Sequence, residues 1–148
     1  MFEYLKAREI SDKTAWLPMP TIVEGARLEL RTASMSNNGY YNASLKLAAR
    51  RSDSPLPKHM EQKDEVNQGR LDDRVTFPGT VLVGWEGVVD DEGQPVPFSK
   101  EHAIDLVDAL PDWMFDSLRI FAMDPSNFIQ AGDPVAPTAE EIQEKAGN

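Results

Sequence analysis

Eleven prolines decide how long any single element of this chain can be. Proline fixes φ and lacks an N–H, so helix interiors and central strands must lie between prolines. The stretch through Trp16-Leu-Pro-Met-Pro20 therefore reads as extended. Ser52-Asp-Ser-Pro-Leu-Pro57 breaks one helix, Pro111-Asp112 separates two more, and Pro125 ends the last. What remains is a set of short elements suited to one domain of ordinary size, which 148 residues also favour. No apolar run approaches the length needed to cross a bilayer. Met1-Phe-Glu-Tyr-Leu-Lys6 is not a basic segment followed by an apolar one, so the expectation is a soluble, unexported protein.

Between the breaks, periodicity assigns most elements. In Ala26-Arg-Leu-Glu-Leu-Arg-Thr32, Leu28 and Leu30 share one face and Arg27, Glu29 and Arg31 the other, as in a half-buried strand. Glu24-Gly25 turns the chain, so this strand pairs with residues between Ala15 and Val23 in a small hairpin. Ser36-Asn37-Asn38-Gly39 offers N-caps for a helix from Tyr40 to Arg51, with Tyr41, Leu45 and Ala48 on one face. The polar segment from His59 to Arg74 is an exposed helix or a connector. Val75 to Val88 is apolar and reads as strand or helix, since periodicity alone does not separate the two. Asp90-Asp-Glu-Gly93 is a turn, and Ser99 is the N-cap of a helix from Lys100 to Leu110. Trp113 to Met123 forms a second helix packed on that one. Thr138-Ala-Glu-Glu141 matches a capping box opening a short acidic helix in the tail.

These elements imply a mainly α protein: one small helical domain over 1–129 with a short N-terminal antiparallel β-hairpin, a linker-like stretch at 52–74, and a flexible acidic tail over 130–148.

Composition narrows function mostly by exclusion. Zero cysteines remove disulfides, thiolate catalysis and cysteine zinc sites. The net charge of −10 is uneven: residues up to Lys58 carry a net +3 and those from His59 onward a net −13. Such a chain repels a phosphate backbone, so nucleic acid is not an expected partner, nor is a membrane. An acidic surface gives solubility, and it also steers basic partners.

Candidate chemistry is sparse. His59 and His102 stand apart, without the clustered ligands a zinc site needs. Asp90 to Gly93 lacks the spaced acids and closing glutamate of a calcium loop. No serine has an identifiable histidine partner, and Gly79, Gly84 and Gly87 match no phosphate cradle. No catalytic residue, metal or cofactor is expected, and the reading is a non-enzyme. Trp16, Trp85 and Trp113 are the remaining candidates. Trp85 reads as core and Trp16 as exposed, and aromatic side chains of this kind anchor interfaces.

In their order these features resemble the tail assembly chaperones of long, non-contractile-tailed phages and their prophages. The resemblance runs from Trp16 to Phe128. It rests on Trp16 with its prolines, Leu28-Glu-Leu-Arg31, Asn38-Gly-Tyr-Tyr-Asn-Ala-Ser-Leu45, Gly84-Trp85-Glu86-Gly87, Pro95-Val-Pro-Phe-Ser99 and the acidic amphipathic helix that follows. One departure is Phe77-Pro78-Gly79, which interrupts the expected helix before the tryptophan. The resemblance implies a chaperone that binds and solubilises the tape measure protein and helps recruit tail tube subunits. It also implies a location in the host cytoplasm and absence from the finished virion. In that reading Trp113, Phe115, Phe121 and Trp16 are candidate partner-binding residues, and Gly84, Trp85, Glu86, Gly87 and Ser99 form a structural motif. A homo-oligomer stays open. The alternatives are a structural virion protein, such as a head-to-tail connector or tail component, and a small acidic protein that binds a host factor.

Overall fold

A computed structural model describes residues 1–6, 8–52, 62–129 and 143, without the side chains of 51–52 and 62–66. The element order is α1 (Glu3–Lys6), β1 (Thr14–Pro18), β2 (Arg27–Arg31), α2 (Asn38–Ser52), α3 (Gln62–Thr76), β3 (Leu82–Glu86), α4 (Lys100–Ala109), α5 (Asp112–Met123) and a 3-10 turn at Pro125–Phe128. The acidic tail and its Thr138 capping box lie outside the described residues, apart from Gln143.

The strands form one antiparallel sheet in the order β1-β2-β3. This corrects the expectation of an N-terminal hairpin alone, although helix still predominates among the described residues. The apolar run after Pro78 supplies a third strand, so the hairpin is extended into a sheet whose inner face joins the helices in one core. Phe77-Pro78-Gly79 is the physical reason. The Phe77 carbonyl accepts from the N–H groups of Thr80, Val81 and Leu82 at 3.1, 3.0 and 3.0 Å, and Gly79 takes φ +82°. Helix α3 stops there and the chain leaves in extended form to pair with β2.

Alternation fixes which face is buried. Leu28 stands opposite Leu17 and Trp85, and Leu30 opposite Ala15 and Leu82. Both leucines are completely buried. The register slips between Glu29 and Leu30, leaving Val83 as the extra residue of a bulge that brings Leu82 opposite Leu30.

Phe77 sits at the centre of the core, edge-on to Tyr40 (5.7 Å) and to Phe115 (5.5 Å). Val81, Leu82, Val107, Leu118 and Phe128 complete it. Burying each of the larger side chains contributes about 2–3 kcal/mol. Asn37 is a polar side chain enclosed with them. Asn37 donates to the carbonyls of Thr32 (2.9 Å) and Thr80 (2.8 Å) and accepts from the N–H of Tyr40, which ties the end of β2, the start of α2 and the turn before β3.

Helix α2 turns a different face inward from the one its apolar residues suggest. Tyr40 is buried, whereas Tyr41 and Leu45 are exposed. The Tyr40 hydroxyl donates to Asp73 on α3 at 2.9 Å, so a polar contact sets the rotation of the helix. From Gln62, the segment left open as helix or connector is α3, and its Asp73 and Thr76 are buried.

Candidate partner-binding surface

Three arginines determine what α5 shows to solvent. Arg70 of α3 binds Asp116 (2.7 Å) and Asp112 (3.4 Å), and Arg74 binds Asp112 (2.8 Å) and the carbonyls of Val107 and Leu110. Arg119 of α5 reaches back to Asp73 at 2.8 Å and to Asp116 at 3.2 Å. With these ties made, Phe115, Leu118 and Ala122 point inward, and the guanidinium of Arg74 lies over the Phe115 ring at 4.8 Å. The opposite face then carries Trp113, Ile120 and Met123, with 59, 70 and 46% of their surface exposed. Seven residues separate Trp113 from Ile120, about two helical turns, so both lie on one side of α5.

The residues put forward from sequence therefore separate. Trp113 is the most exposed of the three tryptophans. Phe115 is completely buried and lines no surface. Phe121 is partly buried against the core, 6.1 Å from Phe128. Trp16 lies on the outer face of the sheet beneath the Arg27 guanidinium, at 4.3 Å. Ile120 and Met123 belong to the exposed set and were not singled out by sequence. Their signal was an apolar residue seven places after Trp113, on the side opposite Phe115 and Leu118.

The Gly84 to Gly87 motif has a structural account at each position. Glu29 crosses the sheet over Gly84, where a Cβ would meet Glu29 Oε1 at 2.6 Å. The Trp85 indole N–H donates to the Val96 carbonyl at 2.7 Å, and its ring stands edge-on to Phe98 at 5.0 Å. Glu86 pairs with Arg27. Gly87 takes φ +77° against the backbone of Gly25. Asp90 then turns the chain by accepting from the N–H groups of Glu92 and Gln94, both at 2.9 Å. Ser99 caps α4 through the N–H of His102 at 3.0 Å.

A cleft of about 330 Å³ opens among α2, α3 and α5, lined by Tyr40, Ser44, Asp73, Thr76 and Arg119 among others. Its ionisable groups engage one another: Asp73 accepts from both Tyr40 and Arg119. Burial, reinforced by the charge of Asp73 and the hydrogen bond to it, pushes the Tyr40 hydroxyl up to about 12. Asp116 is held below the usual carboxylate range, chiefly by its hydrogen bonds from Arg70. Such groups hold the three helices together. Among the described residues no group of acids and histidines is arranged to hold a metal ion, and no helix is long and apolar enough to cross a membrane.

The model of the YdaY prophage protein family matches residues 40–145, well over half of the chain. The chain belongs to the YdaY prophage protein family. No curated protein and no solved structure matches it. The YdaY match begins at Tyr40, so it takes in α2 to α5 and β3 and leaves out β1 and β2. Strand β3, inside the YdaY span, is paired to a hairpin outside it, and Leu28 and Leu30 of that hairpin are core residues.

Proposed function

We propose that this prophage protein is a non-enzymatic tail assembly chaperone of a long, non-contractile tail. It binds and solubilises the tape measure protein in the host cytoplasm, helps recruit tail tube subunits, and is left out of the finished virion. The observation that carries the reading is the outward face of α5, where Trp113 and Ile120 stand exposed above a helix already anchored by Phe115 and Leu118. A tape measure protein is long and helical, and an apolar helix face covers such a client by helix-to-helix contact. The succession from Trp16 to Phe128 that resembles these chaperones supports the same assignment, as does membership of a prophage family.

Co-expression with the tape measure protein from the same genome tests it. Soluble client should rise when this chain is present, and the two should co-elute. No rise, with this chain found in purified particles by mass spectrometry, would make it a structural virion protein instead.

A further inference from the structure

The cleft among α2, α3 and α5 has more hydrogen-bonding capacity than the ties between its helices use. Helix α2 brings Tyr40, Ser44 and Leu47 to it, and α3 brings Gly69, Asp73 and Thr76. Each set is spaced by one helical turn and so lies along one face of its helix. Arg119 of α5 forms the third side. Its Nε donates to Asp73 at 2.8 Å and its Nη1 to Asp116 at 3.2 Å, while Nη2 is turned toward Gly69.

Two observations single this cleft out. Thr76 lines it and is only 3% exposed, and its hydroxyl has no hydrogen-bond partner among the described residues. A buried polar group left in that state costs stability that an incoming hydrogen bond recovers. Gly69 is the second. A glycine inside a helix is less favourable than an alanine, and here neither backbone nor packing calls for one. Its φ is not positive, and a Cβ there would meet Arg119 Nη2 at an ordinary 3.6 Å. What the missing side chain provides is open space beside the guanidinium.

The walls select the chemistry of the ligand. Arg119 donates, the hydroxyls of Ser44 and Thr76 donate or accept, and Asp73 accepts. Each oxygen of Asp73 already takes one hydrogen bond, from Tyr40 or Arg119, and has a lone pair left for a second. A carboxylate ligand would bring acceptors alone and meet Asp73, and an ammonium would bring donors alone and meet Arg119. A hydroxyl serves both. Leu47 and Ala48 add an apolar wall, and a volume of about 330 Å³ stands at the lower end of the range for small-molecule sites.

We propose that the cleft binds an uncharged polyhydroxyl compound the size of a single sugar ring. Its hydroxyls accept from Arg119 Nη2, donate to Asp73 and pair with Thr76, while its carbon face lies on Leu47 and Ala48. The proposal does not depend on the chaperone reading, which rests on Trp113 and Ile120.

The test titrates the full chain with glucose, galactose, mannose and myo-inositol, following backbone amide and arginine side-chain signals by NMR. At least one should give saturable shifts at Ser44, Gly69, Thr76 and the Arg119 side chain, with a dissociation constant in the millimolar range. Glucuronate and protonated glucosamine should bind about tenfold more weakly than the uncharged sugars. Gly69→Leu, which fills the cleft with a good helix former, should weaken binding about tenfold and unfold no more easily than wild type. Thr76→Val should weaken it about fivefold with stability unchanged, because the hydroxyl has no internal partner to lose. W113S/I120S should bind like wild type. No saturable shift with any of the four uncharged compounds would overturn the proposal, as would equal binding of the charged sugars or wild-type affinity in Gly69→Leu. A destabilised Thr76→Val would assign that hydroxyl to the fold and overturn it too.

Discussion

The α-carbon of Gly87 faces the carbonyl of Gly25 so closely that a methyl group there would stand 2.6 Å from its oxygen. Both partners are backbone, so nothing flexible can give way. Gly87 also has φ +77°, a conformation that costs other residues about 1–2 kcal/mol. Gly87→Ala should therefore destabilise the fold by more than about 2 kcal/mol. Gly93 has the same φ but open space around it, so Gly93→Ala should cost only about 1 kcal/mol. Urea unfolding of the two variants checks the difference, and equal losses would show that the approach to Gly25 does not matter.

That contrast bears on what the sequence made legible. The alternation of Leu28 and Leu30 identified β2 because one face of that strand is polar and solvated. Ser99 identified the start of α4 because a cap is a local device. Strand β3 stayed ambiguous because Val81-Leu-Val83 is apolar on both sides, and its state is settled by β2, more than fifty positions earlier in the chain. The inward face of α2 is hidden from the sequence for a related reason. Tyr41 and Leu45 look like a core face, but the decisive contact is the hydrogen bond from Tyr40 to Asp73. In α5, Phe115 and Ile120 are equally apolar. Which of them is buried depends on the ties to Arg70 and Asp73, each 46 residues away.

The Tyr40 hydroxyl gives those ties a pH signature. Its folded value is raised to about 12 from an ordinary 10, so the folded state holds the proton more tightly than the unfolded chain. The stabilisation is fully present below pH 10 and is lost as pH rises through about 12. Tyr40→Phe should cost about 1 kcal/mol at neutral pH by removing a buried hydrogen bond. The gap between wild type and Tyr40→Phe should narrow across that alkaline window. Stability curves that stay parallel from neutral pH upward would rule out a raised Tyr40.

Asp116 acts at the opposite end of the scale. Its carboxyl is held below the ordinary 3.8 by Arg70 and Arg119, so its contribution is present above that value and disappears as pH falls through the lower folded one. The group is partly exposed, and Asp116→Asn should cost less than about 1 kcal/mol at pH 7. The variant should also lose less stability than wild type on acidification below pH 4. A variant that follows the wild-type acid curve unchanged would place the acid sensitivity elsewhere.

The two faces of α5 make the sharpest separation between folding and function. Phe115→Ala opens a cavity beside Phe77 and Arg74 and should destabilise the protein by about 3–5 kcal/mol. Trp113 and Ile120 are exposed, and Trp113→Ser with Ile120→Ser should shift stability by no more than about 0.5 kcal/mol each. If the outward face of α5 holds the tape measure protein, the double variant should fold like wild type and lose most of its ability to keep that protein soluble. The reverse pattern, an unstable double variant or one that solubilises the client fully, would assign Trp113 and Ile120 to the fold or move the client to another surface. Reading thermal unfolding and soluble client on the same preparations keeps loss of structure apart from loss of contact.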